Sequence, residues 1–400
     1  MTHTVVVGAG QAGASLVARL RNKGYSGQIT LIGEETAPPY QRPPLSKAYL
    51  NGDMELERLY LRPLSFYEEN RIDLRTGVKV HAIDRKAKSL DLGGESLAYD
   101  TLVLATGSKP RHLPAKIGGD LNGVYVVRSL ADVDQMASEF SKERRVLIVG
   151  GGYIGLEAAA VAAKRGLNVT LVEAADRILQ RVASPQTSDF FRNLHQKHGV
   201  EIIEGVGLES FMGTDRVTGA KLSDGREIEI DFVIAGIGIV PDIELAEASG
   251  LEIENGIKVD ALCKTSDPDI YAVGDCASFP HKNNRLRLES VPNAIEQAEA
   301  AADVILGGSD EYLAKPWFWS DQYDVKLQIA GLNTGYDKVV VRDSNGPISF
   351  WYYKGLELLA VDAANDPRSY MMGKRWIEAG KSPSPEDVAD PEVELKKVAV

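Results

Sequence analysis

Two glycine-rich turns and one stiff cationic loop hold the residue types through which this sequence could do chemistry. The turn GAGQAG places Gly8, Gly10 and Gly13 in a G-x-G-x-x-G pattern directly after the apolar run TVVV. GGGYIG repeats it with Gly150, Gly152 and Gly155 after RVLIV. A first glycine permits the tight turn, a second lets backbone approach a pyrophosphate, and a third lets helix and strand pack closely. In each copy a helical stretch follows, to about Lys23 and to near Gly166, and then a strand ending in an acid, Glu34 or Glu173. A carboxylate there accepts hydrogen bonds from ribose hydroxyls.

Each copy also has a return strand closed by glycine, DTLVLATG at 100–107 and DFVIAGIG at 231–238. One such fingerprint is weak, but two with their strands and acids predict two dinucleotides held close enough to react. A flavin dinucleotide and a nicotinamide dinucleotide are the natural pair, because hydride transfer between them is cofactor chemistry that the protein has only to orient. The fingerprints themselves do not say which copy holds which.

The loop QRPPLSKAYL, 41–50, sets Arg42 and Lys47 around Pro43 and Pro44, whose rings fix the backbone and hold two cations in set directions. A ring that accepts hydride becomes electron-rich, and a nearby cation in a partly dry site stabilises it. Lys47 is the candidate. Glu157, the only charge between Arg145 and Lys164, is its candidate counter-charge; alternatively it merely favours a helix dipole. Glu173, followed by Ala174 and Ala175, would repel a ribose 2′-phosphate, so NADH is the expected coenzyme, with Arg177 the one nearby cation that softens this.

The elements that must position these groups are those of a large soluble protein. Four hundred residues predict two or three domains. The expected architecture is α/β: two Rossmann-like dinucleotide-binding domains followed by a smaller C-terminal α+β domain. After the second copy, YAVGDCASF at 271–279 can return to the first domain, where Asp275 contacts a cofactor hydroxyl or makes an Asx turn. Beyond AKPWFWSDQYD, the runs KVVVRD, ISFWYY and LELLAVD, joined by SNGP and Lys354–Gly355, read as an antiparallel meander. A helix from about Pro367 to Ala379 and an acidic tail, 382–400, follow. The domain limits are 1–110 and 243–314 for the first dinucleotide-binding domain, 111–242 for the second and 315–400 for the third.

A net charge of −12 argues against nucleic acid, and no apolar run reaches the length of a membrane span. The opening MTHTVVVGAG enters a strand at once, which predicts a cytoplasmic protein. Cys263 and Cys276, thirteen positions apart, are the only cysteines. They form no C-x-x-C pair and are too few for an iron–sulfur cluster, so electrons taken up by a flavin must leave to an external acceptor. His195 and His198 lack an evident third ligand and read as a solvated helix end before Gly199; no metal is expected.

In order along the chain, GAGQAG, PYQRPPLSK, LATGSKPR, GGGYIGLE, AGIGIVPD, YAVGDC, ESVPNA and PWFWSDQ resemble the FAD-dependent NADH:ferredoxin reductases of bacterial oxygenase systems, the putidaredoxin reductase type first. The resemblance runs from residue 4 to about 380. It implies a glutathione-reductase-like fold with FAD in the first copy and NADH in the second. The implied FAD contacts are Gly8, Gly10, Ala12, Gly13, Glu34, Arg42, Lys47, Val80, Thr106, Arg128, Asp275 and Val291, with Trp319 against the flavin ring. For the nicotinamide dinucleotide they are Gly150, Gly152, Tyr153, Ile154, Gly155, Glu157, Glu173 and Gly238, with Glu157 beside the nicotinamide and facing Lys47. The implied acceptor is a 2Fe–2S ferredoxin, with a cytochrome P450 or dioxygenase beyond it.

Such partners are acidic, so docking needs a local basic patch. Lys282, Arg285 and Arg287 form one candidate and Lys374 and Arg375 another, although a charge run is often just a solvated face. Two rival readings are an NADH oxidase or peroxidase-like enzyme, against which the missing cysteine in the 41–50 loop counts, and a redox-sensing binding protein resembling apoptosis-inducing factor.

Overall fold

The computed structural model describes residues 2–398. Residues 1, 399 and 400, which the expected domain limits and the acidic tail include, lie outside the described residues. The chain divides into two compact units, one of Met1–Gln41, Glu55–Lys109 and Ile239–Pro316, the other of Arg42–Met54, Pro110–Gly238 and Trp317–Val400.

The first unit is built on a five-stranded parallel sheet ordered Ile270–Ala272, Thr101–Leu104, His3–Val7, Gln28–Gly33, Ile72–Thr76. Val5, Val6, Leu31, Leu102 and Val103 are fully buried in it. Such near-continuous apolar runs suit a parallel sheet covered on both faces. The glycine turn at Gly8 leads from the central strand into the helix Gln11–Asn22, which packs against the helix Val291–Ile305. The strand before GDC does return to this sheet.

The second unit repeats the plan with Glu201–Glu204, Asn168–Glu173, Arg145–Val149, Phe232–Ala235 and Val124–Tyr125, again all parallel. Its glycine turn opens the helix Tyr153–Lys164, whose residues 155–162 are all buried. The same unit holds a five-stranded antiparallel sheet ordered Trp317–Gln322, Val325–Gly331, Glu357–Ala364, Ile348–Lys354, Lys338–Asp343. The meander read from the sequence is its last three strands. The first two were missed although VKLQI alternates between apolar and polar residues, and in WFWSDQ the aromatic residues mask the same register.

The helix Pro367–Glu378 covers one face of that sheet, with Gly373 against Val361 and Trp351. The described part of the tail is held down. Buried Arg342 donates hydrogen bonds to the carbonyls of Val388, Asp390, Pro391 and Val393. Among the described residues no helix is long and apolar enough to cross a membrane.

Candidate functional site

Both glycine turns have the shape that a bound pyrophosphate requires. Gly8 sits at φ +115° and Gly150 at φ +105°, where a side chain is strained. A Cβ on Gly13 would lie 2.0 Å from the Gly8 carbonyl oxygen, and one on Gly155 2.1 Å from that of Gly150. Gly10 and Gly152, at the two helix N-caps, face open space: nothing lies within 4 Å of a Cβ built there. Neither helix has an acid in its first turn or a side chain capping it. The N-cap glycine of each helix thus leaves its first N–H groups open to an approaching phosphate. The residues present fit a dinucleotide in each copy.

The acids differ. Glu173 accepts from Gly151 N at 2.7 Å and Ala175 N at 2.8 Å, which ties it to its own glycine turn with lone pairs still available to hydroxyls. Glu34 is mostly exposed and pairs with Lys79 at 3.1 Å. Arg177 is engaged within the protein: it donates to the Ser188 hydroxyl and the carbonyls of Gln180 and Ala183.

In the first unit, Thr106 donates to the Asp242 carbonyl at 2.6 Å, and Asp275 accepts from Ser108 at 2.8 Å. Ala12 and Val80 are buried, and Val291 opens a helix capped by Ser290. Cys276 is fully buried, donates towards the Val273 and Leu104 carbonyls, and has its thiol pushed up by burial. Burial pushes the Cys263 thiol up to about 12. Neither thiol is placed or ionised to carry electrons.

The second unit brings Lys47 and Glu157 together across 110 residues of chain. Pro43–Ser46 forms one short 3-10 turn, closed when Lys47 N donates to the Pro44 carbonyl. The Lys47 ammonium then donates to Glu157 Oε2 at 2.7 Å and to the Pro43 carbonyl at 3.3 Å. Glu157 is 4% exposed. Two further donors satisfy its carboxylate, Ser46 Oγ to Oε2 at 2.7 Å and Ser320 Oγ to Oε1 at 2.6 Å. A buried carboxylate persists only when paired and hydrogen-bonded in this way.

Helix and strand periods explain the meeting. Tyr153 and Glu157, four apart, share a helix face, while Phe318, Ser320 and Gln322, two apart, share a strand face. Tyr153 packs on Phe318 with ring centres 5.1 Å apart, and Glu157 meets Ser320. Trp319 points to the other side, beside Trp317 at 5.6 Å, and is half-buried. Arg42 donates to the Arg128 carbonyl at 2.6 Å, which anchors the loop. Ile154 is exposed at the helix start, and Gly238 holds φ +98°.

Sequence reasoning missed Ser46 and Ser320. The signal was present in the period-two register of WFWSDQ, which sets Ser320 opposite Trp319.

Two readings need correction. His195 is not part of a solvated helix end: it is fully buried against Gln322, and burial pushes its imidazole down to about 4. The strand Trp317–Gln322 covers it, which local sequence could not show. His198 is exposed and stacks on Tyr323. The 281–287 run is also not an acid-free basic face. Arg287 pairs with Glu289 at 2.6 Å, and Arg285 donates to the Val259 and Ser278 carbonyls, 3.7 Å from Glu254. Only Lys282 of the three is exposed. Lys374 pairs with Glu378, and Arg375 is exposed.

Comparison with known proteins finds relatives over nearly the whole chain. Residues 2–298 match the model of the pyridine nucleotide-disulphide oxidoreductases, and residues 317–399 match that of the reductase C-terminal domain. Rhodocoxin reductase of Rhodococcus erythropolis is 42% identical, over 98% of this chain and 93% of its own. Putidaredoxin reductase of Pseudomonas putida is 42% identical, over 99% and 96%. The crystal structure of the covalent putidaredoxin reductase–putidaredoxin complex superposes with a TM-score of 0.95 at 42% identity, covering 99% of this chain and 97% of that one.

Proposed function

The chain belongs to the pyridine nucleotide-disulphide oxidoreductases, in the branch of the putidaredoxin reductase-type ferredoxin reductases, and on that premise we propose that it is a cytoplasmic NADH-dependent FAD reductase serving a 2Fe–2S ferredoxin. The ferredoxin in turn feeds a cytochrome P450 or a ring-hydroxylating dioxygenase. The single observation that carries the reading is the buried Lys47–Glu157 pair together with two inert, buried thiols. The family name refers to a disulphide, yet no cysteine here can take up electrons beside a cofactor, so they leave the chain.

FAD belongs to the cradle of Gly8, Gly10, Ala12 and Gly13, and supplies, when bound, the conversion of one hydride into electrons handed on singly. The protein's own residues do the rest. Gly150, Gly152 and Gly155 hold the coenzyme pyrophosphate, and Glu173 accepts from the adenosine ribose. Lys47 supplies positive charge at the flavin ring without reorganising, because its turn and Glu157 already hold it. Glu157 would set the ammonium and the nicotinamide, and Trp319 would lie against the ring system and keep water off it. Arg42 fixes the loop through the Arg128 carbonyl.

Anaerobic addition of NADH, then of oxidised 2Fe–2S ferredoxins, tests the whole reading by flavin and cluster absorbance. Stoichiometric cluster reduction is expected. Rapid turnover in air without ferredoxin would favour an oxidase, and slow reduction with dimer formation would favour a redox-sensing protein.

The coenzyme preference has its own test. Glu173→Lys removes the carboxylate and adds a cation where a 2′-phosphate would sit, and the ratio of NADH to NADPH efficiency should fall at least about 100-fold. An unchanged ratio in folded protein removes the ribose contact.

A further inference from the structure

Glu157 is the inner end of a buried chain of hydrogen bonds that the mechanism above does not use. Ser320 Oγ lies 2.6 Å from Glu157 Oε1, and Gln322 Nε2 lies 3.2 Å from Ser320 Oγ. His195 Nε2 lies 2.8 Å from Gln322 Oε1, and the Tyr323 hydroxyl 3.2 Å from His195 Nδ1. Ser320, Gln322 and His195 are each 0% exposed. Tyr323 closes the chain at its half-buried outer end, stacked on His198.

The charge on Glu157 sets the sense of every link. A carboxylate only accepts, so Ser320 must give it its one proton. The Ser320 oxygen then accepts, and Gln322 must turn its amide N–H to it. That leaves the Gln322 carbonyl facing His195, whose Nε2 must carry the ring proton. His195 Nδ1 keeps its lone pair and accepts a hydrogen bond from the Tyr323 hydroxyl. Burial keeps the outer two groups neutral: it pushes His195 down to about 4 and the Tyr323 hydroxyl up. All four donors therefore point along the chain towards one carboxylate. The amide in the middle cannot hop a proton, since its N–H returns only through an imidic acid. The chain transmits orientation and polarisation, not protons.

We propose that Gln322 and His195 are positioning residues that hold the Ser320 hydroxyl as a permanent donor to Glu157, so that Glu157, Ser46 and Ser320 form a fixed seat for the Lys47 ammonium. The inference rests on the reading of Lys47 and Glu157 as the groups that serve flavin and nicotinamide. The ionisable groups around Glu157 are Lys47 from the proline turn and Tyr153 from its own helix, with Asp362 and Tyr352 acting on Tyr153. Around His195 they are Tyr323 and His198.

Imidazole nitrogen NMR of the oxidised holoenzyme tests the sense of the chain without any electron acceptor. His195 should be neutral with its proton on Nε2 from about pH 6 to 8. A proton on Nδ1, or an imidazolium in that range, overturns the proposal. The second measurement compares anaerobic reduction by NADH across pH for the unaltered enzyme and Gln322→Leu. Without the amide the Ser320 proton is free to turn away, and the acid limb of the profile should move up by about one pH unit, as for the loss of one oriented donor to a carboxylate. Superimposable profiles in a folded, FAD-loaded variant also overturn it. If Gln322→Leu does not fold, the imidazole measurement decides alone. A protein with the Nε2 proton that reduces no ferredoxin refutes the proposed function and leaves the positioning chain standing.

Discussion

Lys47→Met should slow anaerobic flavin reduction by NADH about 100-fold while FAD remains bound, the loss typical of removing one preorganised charge from a reacting centre. Methionine keeps the length and the apolar stem of lysine, so the proline turn and its backbone hydrogen bonds remain. What goes is the ammonium 2.7 Å from Glu157. Stopped-flow absorbance at the flavin band measures the rate, and a rate within threefold of the unaltered enzyme would remove Lys47 from the reaction. The same change leaves a buried carboxylate without its cation. The hydroxyls of Ser46 and Ser320 still donate to Glu157, which should limit the loss of stability to about 3 kcal/mol or less.

A pair of glycine substitutions should separate the fold from the cradle. Gly13→Val drives a side chain into the Gly8 carbonyl, 2.0 Å from its first carbon, where only backbone could yield. It should give no folded, yellow protein. Gly10→Ala adds a methyl group at φ −95°, which any residue adopts, and meets nothing within 4 Å. It should fold normally yet lose at least about tenfold in FAD affinity, because the methyl occupies the space through which phosphate reaches the helix N-terminus. FAD titration of the apoprotein checks both. Unaltered affinity in Gly10→Ala would show that the phosphate does not approach there.

Much of this was legible because the glycine turns and parallel strands are local. The spacing of Gly8, Gly10 and Gly13, and of their counterparts, fixes backbone that side chains would block, and apolar runs such as TVVV and FVIA mark strands covered on both faces. The facing of Lys47 and Glu157 came from the resemblance, since no local rule pairs residues 110 apart. Ser320 and Gln322 escaped because two tryptophans dominate their segment and mask its period-two register. His195 escaped because its cover comes from a strand more than a hundred residues later. Arg285 and Arg287 looked like surface charge only because their backbone carbonyl and acidic partners are set by folding.

The clasp that Arg342 makes on the chain's last segment bears on how this protein can be cut. One guanidinium, 7% exposed, gathers four carbonyls between Val388 and Val393. A protease that trims past this stretch would strand that cation with nothing to bind, beside a sheet edge newly opened to water. Shortened forms should therefore vanish by complete degradation instead of accumulating as a smaller stable species.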